Sequence, residues 1–146
     1  MDRLLKFLSL PRREKHLFLE AGILLLLSNF CIKTIAFRHI DNFLRARWRD
    51  NTESRIDPAE DIRLVNRSIL SMANSLPFES LCFSRSIAEF IMLRRRGIPA
   101  VIYAGVKFSG HSSPQAHAWV QPGRGVNAGS SENSAFTVVV RIGDDP

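Results

Sequence analysis

Cysteine is scarce in this chain, with two among 146 residues. Cys31 and Cys82 are too few for the disulfide framework of a small secreted domain, so a reducing, cytoplasmic setting is expected. No glycine-rich phosphate loop with a following lysine occurs, and no set of cysteines and histidines has zinc spacing. No cofactor and no metal are therefore expected. Long hydrophobic runs are also missing: the longest, Ala21 to Ile32, is broken only by Ser28 and Asn29 and covers about 18 Å as a helix. A bilayer core of about 30 Å needs some twenty residues. Lys15, His16 and Glu20 close the run upstream, and Lys33 and Arg38 close it downstream. A buried helix is expected rather than a membrane span, peripheral membrane contact is left open, and the cleavage pattern of a secretory signal is absent.

What is present is globular: 45% apolar and 23% charged residues, ample for a core without metal or disulfide staples. A single domain over 1–146 is expected, with a helical N-terminal part over 1–75 and a second part over 76–142. The net charge of +6 is unevenly placed, because residues 1–49 hold ten Lys or Arg against four acids and the remainder holds ten of each. That basic half could meet acidic protein, anionic lipid or nucleic acid, or simply form solvated helix faces. No reading helix or stacking-aromatic motif lies beside it, so no nucleic acid is expected as partner.

Along the chain, Ser9-Leu10-Pro11 predicts a helix start with Glu14 helping to cap it, and the helix is expected to reach about Ala36. Helix is expected again over Phe37 to Arg49, with Phe37, Ile40, Phe43 and Leu44 as an apolar stripe. Asp50 to Ser54 reads as loop, after which Asp57 as cap and Pro58 at the first position open a helix that buries Ile62, Val65, Ile69 and Met72 or Ala73. A further helix follows Pro77 and Ser80 and ends at Arg94-Arg95-Arg96-Gly97, where the arginines suit the negative helix end and the glycine permits a left-handed terminator. Its core stripe is Phe83, Ile87, Phe90 and Ile91. Strands are expected over Ala100 to Val106, Ala116 to Gln121 and Phe136 to Ile142, with a hairpin turn at Pro122-Gly123-Arg124-Gly125.

Cys82 falls in the first turn of that last helix, where open N–H groups and the positive helix end favour a nucleophilic sulfur. His117 follows 35 residues later on an alternating strand that puts His117, Trp119 and Gln121 on one face and Ala118 and Val120 on the other. A cysteine at a helix start and a histidine on a strand are the minimum for a thiol nucleophile with a proton acceptor. His111, in a Gly/Ser/Pro loop, lacks the ordered setting of a general base. Residue types alone leave eight Cys/His pairings open in a chain with two cysteines and four histidines.

Leu81-Cys82-Phe83-Ser84-Arg85-Ser86, then Leu93-Arg94-Arg95-Arg96-Gly97-Ile98-Pro99-Ala100, Gly105-Val106 and Ala116-His117-Ala118-Trp119-Val120 together resemble the transglutaminase-like leader peptidases of lasso-peptide biosynthesis, a bacterial pathway of ribosomal peptide maturation. The resemblance implies an α+β fold in which N-terminal helices and a cysteine-bearing helix pack on a small antiparallel sheet. It also implies a papain-like site of Cys, His and an acid that removes the leader from a precursor peptide. The stand-alone form of the family lacks a leader-gripping domain of its own. Its expected partners are the precursor peptide, a separate leader-recognition protein and the ATP-dependent lasso cyclase.

One departure stands out: the family carries an aspartate shortly after the histidine strand, and Ser112 to Gly143 contains none. Asn127, ten residues past His117, or Glu132, fifteen past it, would then orient the imidazole, an amide being able to hold the ring in the required tautomer. The expected catalytic set is Cys82, His117 and Asn127. Two alternatives remain: another acyl transfer on the same fold, such as deamidation or crosslinking, and a catalytically impaired module that binds the precursor.

Overall fold

The computed structural model describes residues 11–48, 58–77, 81–108, 113–122 and 135–143. Among the described residues four helices, α1 (Arg12–Thr34), α2 (Phe37–Arg47), α3 (Ala59–Ala73) and α4 (Cys82–Arg94), precede three strands, β1 (Ala100–Lys107), β2 (Gln115–Pro122) and β3 (Thr137–Ile142). The strands form one antiparallel sheet in the order β2-β1-β3. Helix α4 packs on β1 and β2 with one side and on α1 and α3 with the other. This is the α+β arrangement expected from the sequence.

Position between two layers explains the burial of α4. Ser84, Ser86, Ile87, Ala88, Phe90, Met92, Leu93 and Arg94 are all buried, far more than a single four-residue stripe. Ile87, Phe90 and Leu93 join Leu17, Ala21 and Leu25 of α1, Val65 and Ile69 of α3, and Ile102, Val120 and Ile142 of the sheet in one core. The small Ser84 and Ala88 let neighbouring helices approach, and the Ser84 hydroxyl lies 3.4 Å from Asn29 Oδ1 of α1. Each large apolar side chain so buried stabilises the fold by roughly 1.5–3 kcal/mol before chain entropy is counted.

Several local expectations need correction. Helix α1 stops at Thr34, because Ile35 and Ala36 are extended, and these two residues separate it from α2. Pro11 occupies the N-cap without a side-chain hydrogen bond, and Glu14 approaches Arg67 of α3 at 3.8 Å instead of capping. Pro58 is itself the N-cap of α3 and not its first helical residue; Asp57 lies outside the described residues. Among the described residues, α1 is one helix long and apolar enough, by length and composition, to cross a membrane. Its Leu17, Phe18, Ala21, Gly22 and Leu25 are nonetheless packed in the core.

The arginine run does more than cap its own helix. Arg96 donates to the Met92 carbonyl and, with Arg95, pairs with Glu20 of α1. Arg94 is buried, donates to the Trp48 carbonyl at the end of α2, and lies over the Phe90 ring at 5.7 Å. Phe37 at the start of α2 meets Phe83 at the start of α4, and Trp48 after its end meets Phe90 and Arg94. The two helices therefore run in the same direction, and their negative ends converge where the three arginines stand. Gly97 follows with φ of 71°, the left-handed terminator expected there.

Glu89 of α4 is largely desolvated, and burial raises its carboxyl from 4.5 to about 7. No hydrogen bond to it forms among the described residues. A carboxyl raised in this way contributes stability that is fully present below 4.5 and lost as the pH climbs through about 7, because the folded state then has to hold a poorly solvated anion. Glu89→Gln is expected to match the wild type in urea unfolding at acid pH and to exceed it by roughly 1–3 kcal/mol above neutrality. Parallel stability curves across that range would place the carboxyl in water.

Candidate active site

Cys82 is the first residue of α4. Leu81 before it is extended, with φ of −59° and ψ of 146°, and makes no side-chain cap. The first helical bond is Arg85 N–H to the Leu81 carbonyl at 3.1 Å. The N–H groups of Cys82, Phe83 and Ser84 precede it, so the sulfur stands at the open, positive end of the helix. The Ser86 hydroxyl donates to the Cys82 carbonyl at 3.0 Å and ties down this first turn. Ser80, expected to cap the helix, lies outside the described residues.

His117 stands on β2 opposite Gly105 of β1. Ala118 and Val120 are buried toward α4, as the alternation requires, and His117 shares the other face with Trp119. Its ring stacks on Trp119 at 5.9 Å and meets Phe136 at 5.3 Å. Trp119 in turn stacks on Tyr103 of β1 at 5.7 Å, extending the aromatic row across two strands. Lys107 lies 6.0 Å from the Phe136 ring and Arg141 5.6 Å from that of Tyr103, each cation over a ring face.

Cys82 and His117 line the same cleft, of about 320 Å³. Its other walls are Phe37 and Phe83, Ala104, Gly105 and Val106, Ala116 and Ala118, and Val139 and Val140. Phe37 and Phe83 touch, with ring centroids 5.4 Å apart. A register shift at Ala104/Gly105 pairs Ala104 with Val140 and Gly105 with Val138, leaving Val139 as the extra residue of a bulge. That irregularity brings adjacent residues of β3 to the rim, a use of bulges common beside functional sites. No hydrogen bond joins Cys82 to His117: both border the cleft, and the ring rests on its aromatic neighbours.

Asn127, Glu132 and His111 lie outside the described residues. The turn expected at Pro122-Gly123-Arg124-Gly125 lies, past Pro122, outside the described residues. The next described strand, β3, pairs with the edge of β1 that β2 leaves free. Sequence reading missed Phe37, Gly105 and Phe136 as parts of the site. A Cβ on Gly105 would lie 2.9 Å from the Thr137 carbonyl oxygen and 3.1 Å from Phe136 Cβ, so this glycine is what lets β3 and Phe136 close in beside His117. The signal for Gly105 was a glycine inside a strand pattern; Phe37 and Phe136 carry none, being brought in by tertiary packing.

The residues described so far, a cysteine-bearing helix followed by three antiparallel strands, fall within a match to the model of the transglutaminase-like superfamily over residues 24–141. No curated protein and no solved structure matches the chain significantly. The family match covers most of the sequence, including α4, β1, β2 and all of β3 but its last residue, and carries with it chemistry of the cysteine-protease or acyl-transfer type. The chain belongs to the transglutaminase-like superfamily, whose members are generally cysteine-based enzymes.

Proposed function

We propose that this protein is a cysteine peptidase that removes the leader from a lasso-peptide precursor, with Cys82 as nucleophile and His117 as general base and acid. The observation that carries the reading is the shared cleft, with Cys82 at the open end of α4 and His117 on the strand beside it. The Cys82 sulfur attacks the scissile carbonyl carbon as its proton passes to His117, forming the C–S bond and a tetrahedral oxyanion. The N–H of Cys82, unused by the helix, is a candidate donor to that oxygen. Collapse breaks the C–N bond, and His117 returns the proton to the leaving amine. Water, deprotonated by His117, then hydrolyses the thioester to release the leader carboxylate and the free thiol.

For these steps the imidazole has to leave its stack on Trp119 and Phe136, and the edge strand β2 has to twist to present it to the sulfur, because the ring stands on the sheet face away from α4. Catalytic hydrogen bonds are often unformed before substrate binds. Asn127, or Glu132 in its place, is the proposed group that then holds the ring. The precursor peptide, a leader-recognition protein acting in trans and the ATP-dependent cyclase are the proposed partners, in a bacterial cytoplasm. The parked ring also supports a second reading, a precursor-binding module without catalysis. Product mass separates the readings. Hydrolysis splits the precursor, whereas deamidation, an acyl transfer from a side-chain amide to water, shifts it by about one mass unit. A binding module leaves the mass unchanged.

Three outcomes are expected. Cys82→Ala abolishes cleavage of the precursor while retaining the wild-type circular dichroism, and Cys31→Ala keeps full activity; an active Cys82 variant would remove the nucleophile from this position. His117→Ala removes activity and His111→Ala lowers it only modestly, the reverse order moving the base into the Ser109 to Pro114 loop. In single-turnover assays Asn127→Asp preserves or raises the rate and Asn127→Ala lowers it about 10-fold or more. A damaging Glu132→Ala with a silent Asn127→Ala would transfer the orienting role to Glu132.

A further inference from the structure

Helix α1 is apolar on two opposite sides, and only one of them is covered. Leu17, Phe18, Ala21 and Leu25 pack in the core, whereas Leu19, Ile23, Leu26, Leu27 and Phe30 are about half exposed or more, Phe30 to 65%. Their spacing of four, three, one and three residues sets them in a single stripe along the helix, about 16 Å long at ~1.5 Å per residue. Phe43 of α2, 60% exposed, faces Leu27 across an apolar groove of about 530 Å³ that also takes in Cys31 and Ile35. The apolar surface therefore continues from α1 onto α2.

Charge is arranged around this surface with one sign free. The acids of α1 and α2, the helices that carry it, are paired: Glu20 with Arg95 and Arg96, Asp41 with Arg45, and Glu14 near Arg67, while Arg13 of α1 pairs with Asp61 of α3. Arg12 and Lys15 at one end of the stripe, and Lys33 and Arg38 at the other, have no ion-pair partner among the described residues. We propose that this face seats the protein on an anionic phospholipid surface, with α1 lying in the plane of the interface and its stripe among the acyl chains. The buried side of α1 belongs to the folded core, so the helix lies on the bilayer and does not cross it.

Two features choose lipid over the other occupants. A second copy related by a two-fold axis would bring Arg12 and Lys15 of one chain against Lys33 of the other, or each cluster against itself, and both arrangements oppose like charges. A protein partner is gripped by aromatic or arginine anchors and directional hydrogen bonds, whereas this surface is mainly aliphatic, with Phe30 and Phe43 as its exposed rings. Such a surface suits a fluid hydrocarbon boundary, and the unpaired cations suit its phosphates.

Vesicle flotation of the full chain tests this, using phosphatidylcholine vesicles and vesicles containing phosphatidylglycerol. The wild type is expected to float with the anionic vesicles, to remain behind with the neutral ones, and to be released by about 0.5 M salt. Phe30→Glu and the double change Lys15→Glu with Lys33→Glu should each lower the bound fraction about 10-fold or more, with unchanged circular dichroism; Phe30 and Lys33 are exposed and Lys15 is half-buried. Absence of binding, equal binding to both vesicle types, or binding indifferent to Phe30→Glu would overturn the proposal. So would a dimer in sedimentation that Phe30→Glu dissociates, which would give the stripe to a second copy. Loss of precursor processing in Phe30→Glu with vesicle binding intact would give it to a protein partner.

Discussion

The burial of α4 on both sides is the constraint from which the rest of the structure follows. A helix squeezed between a sheet and two other helices can neither rotate nor slide without breaking core contacts along its whole length. Its first residue is therefore a fixed point, and Cys82 occupies it. The sheet is held against the same helix by Ile102, Val120 and Ile142, so the strand that carries His117 is placed relative to Cys82 by packing and not by any bond between the two residues. That frame is built on the buried face of β2, and the His117 ring stands on the other, against Trp119 and Phe136.

Much of this was legible in the residues, and the limits are physical. Helix and strand periods, the Gly97 terminator and the alternation along β2 are local properties, and they read correctly. The α+β class followed from element order. The apolar side chains opposite the core on α1 read as an ordinary buried helix, because composition does not say which side a neighbour covers. Arg94 read as a helix-end cation, and its reach to the Trp48 carbonyl depends on where α2 lies, which no local pattern encodes. Turn residues suggest a hairpin after Pro122 but say nothing of strand order, a long-range property, and β3 pairs with the free edge of β1.

The aromatic row on the outer face of the sheet fixes where the His117 ring rests. Tyr103, Trp119, His117 and Phe136 form successive contacts, bounded by cations at Lys107 and Arg141. Ring stacking of this kind is worth about 0.5–1.5 kcal/mol per pair, enough to hold an imidazole in place and small enough for substrate binding to overcome.

Helix α2 begins at Phe37, a wall of the cleft, and its chain is held eleven residues later by Arg94 at Trp48. The same interval on α4 separates Phe83 from Arg94, so the two parallel helices meet near both ends, with the apolar groove open between them. Helix α2 thus borders two hollows at once: Phe37 at its start walls the cleft of about 320 Å³ that holds Cys82, and Ile40, Phe43 and Leu44 further along wall the groove of about 530 Å³.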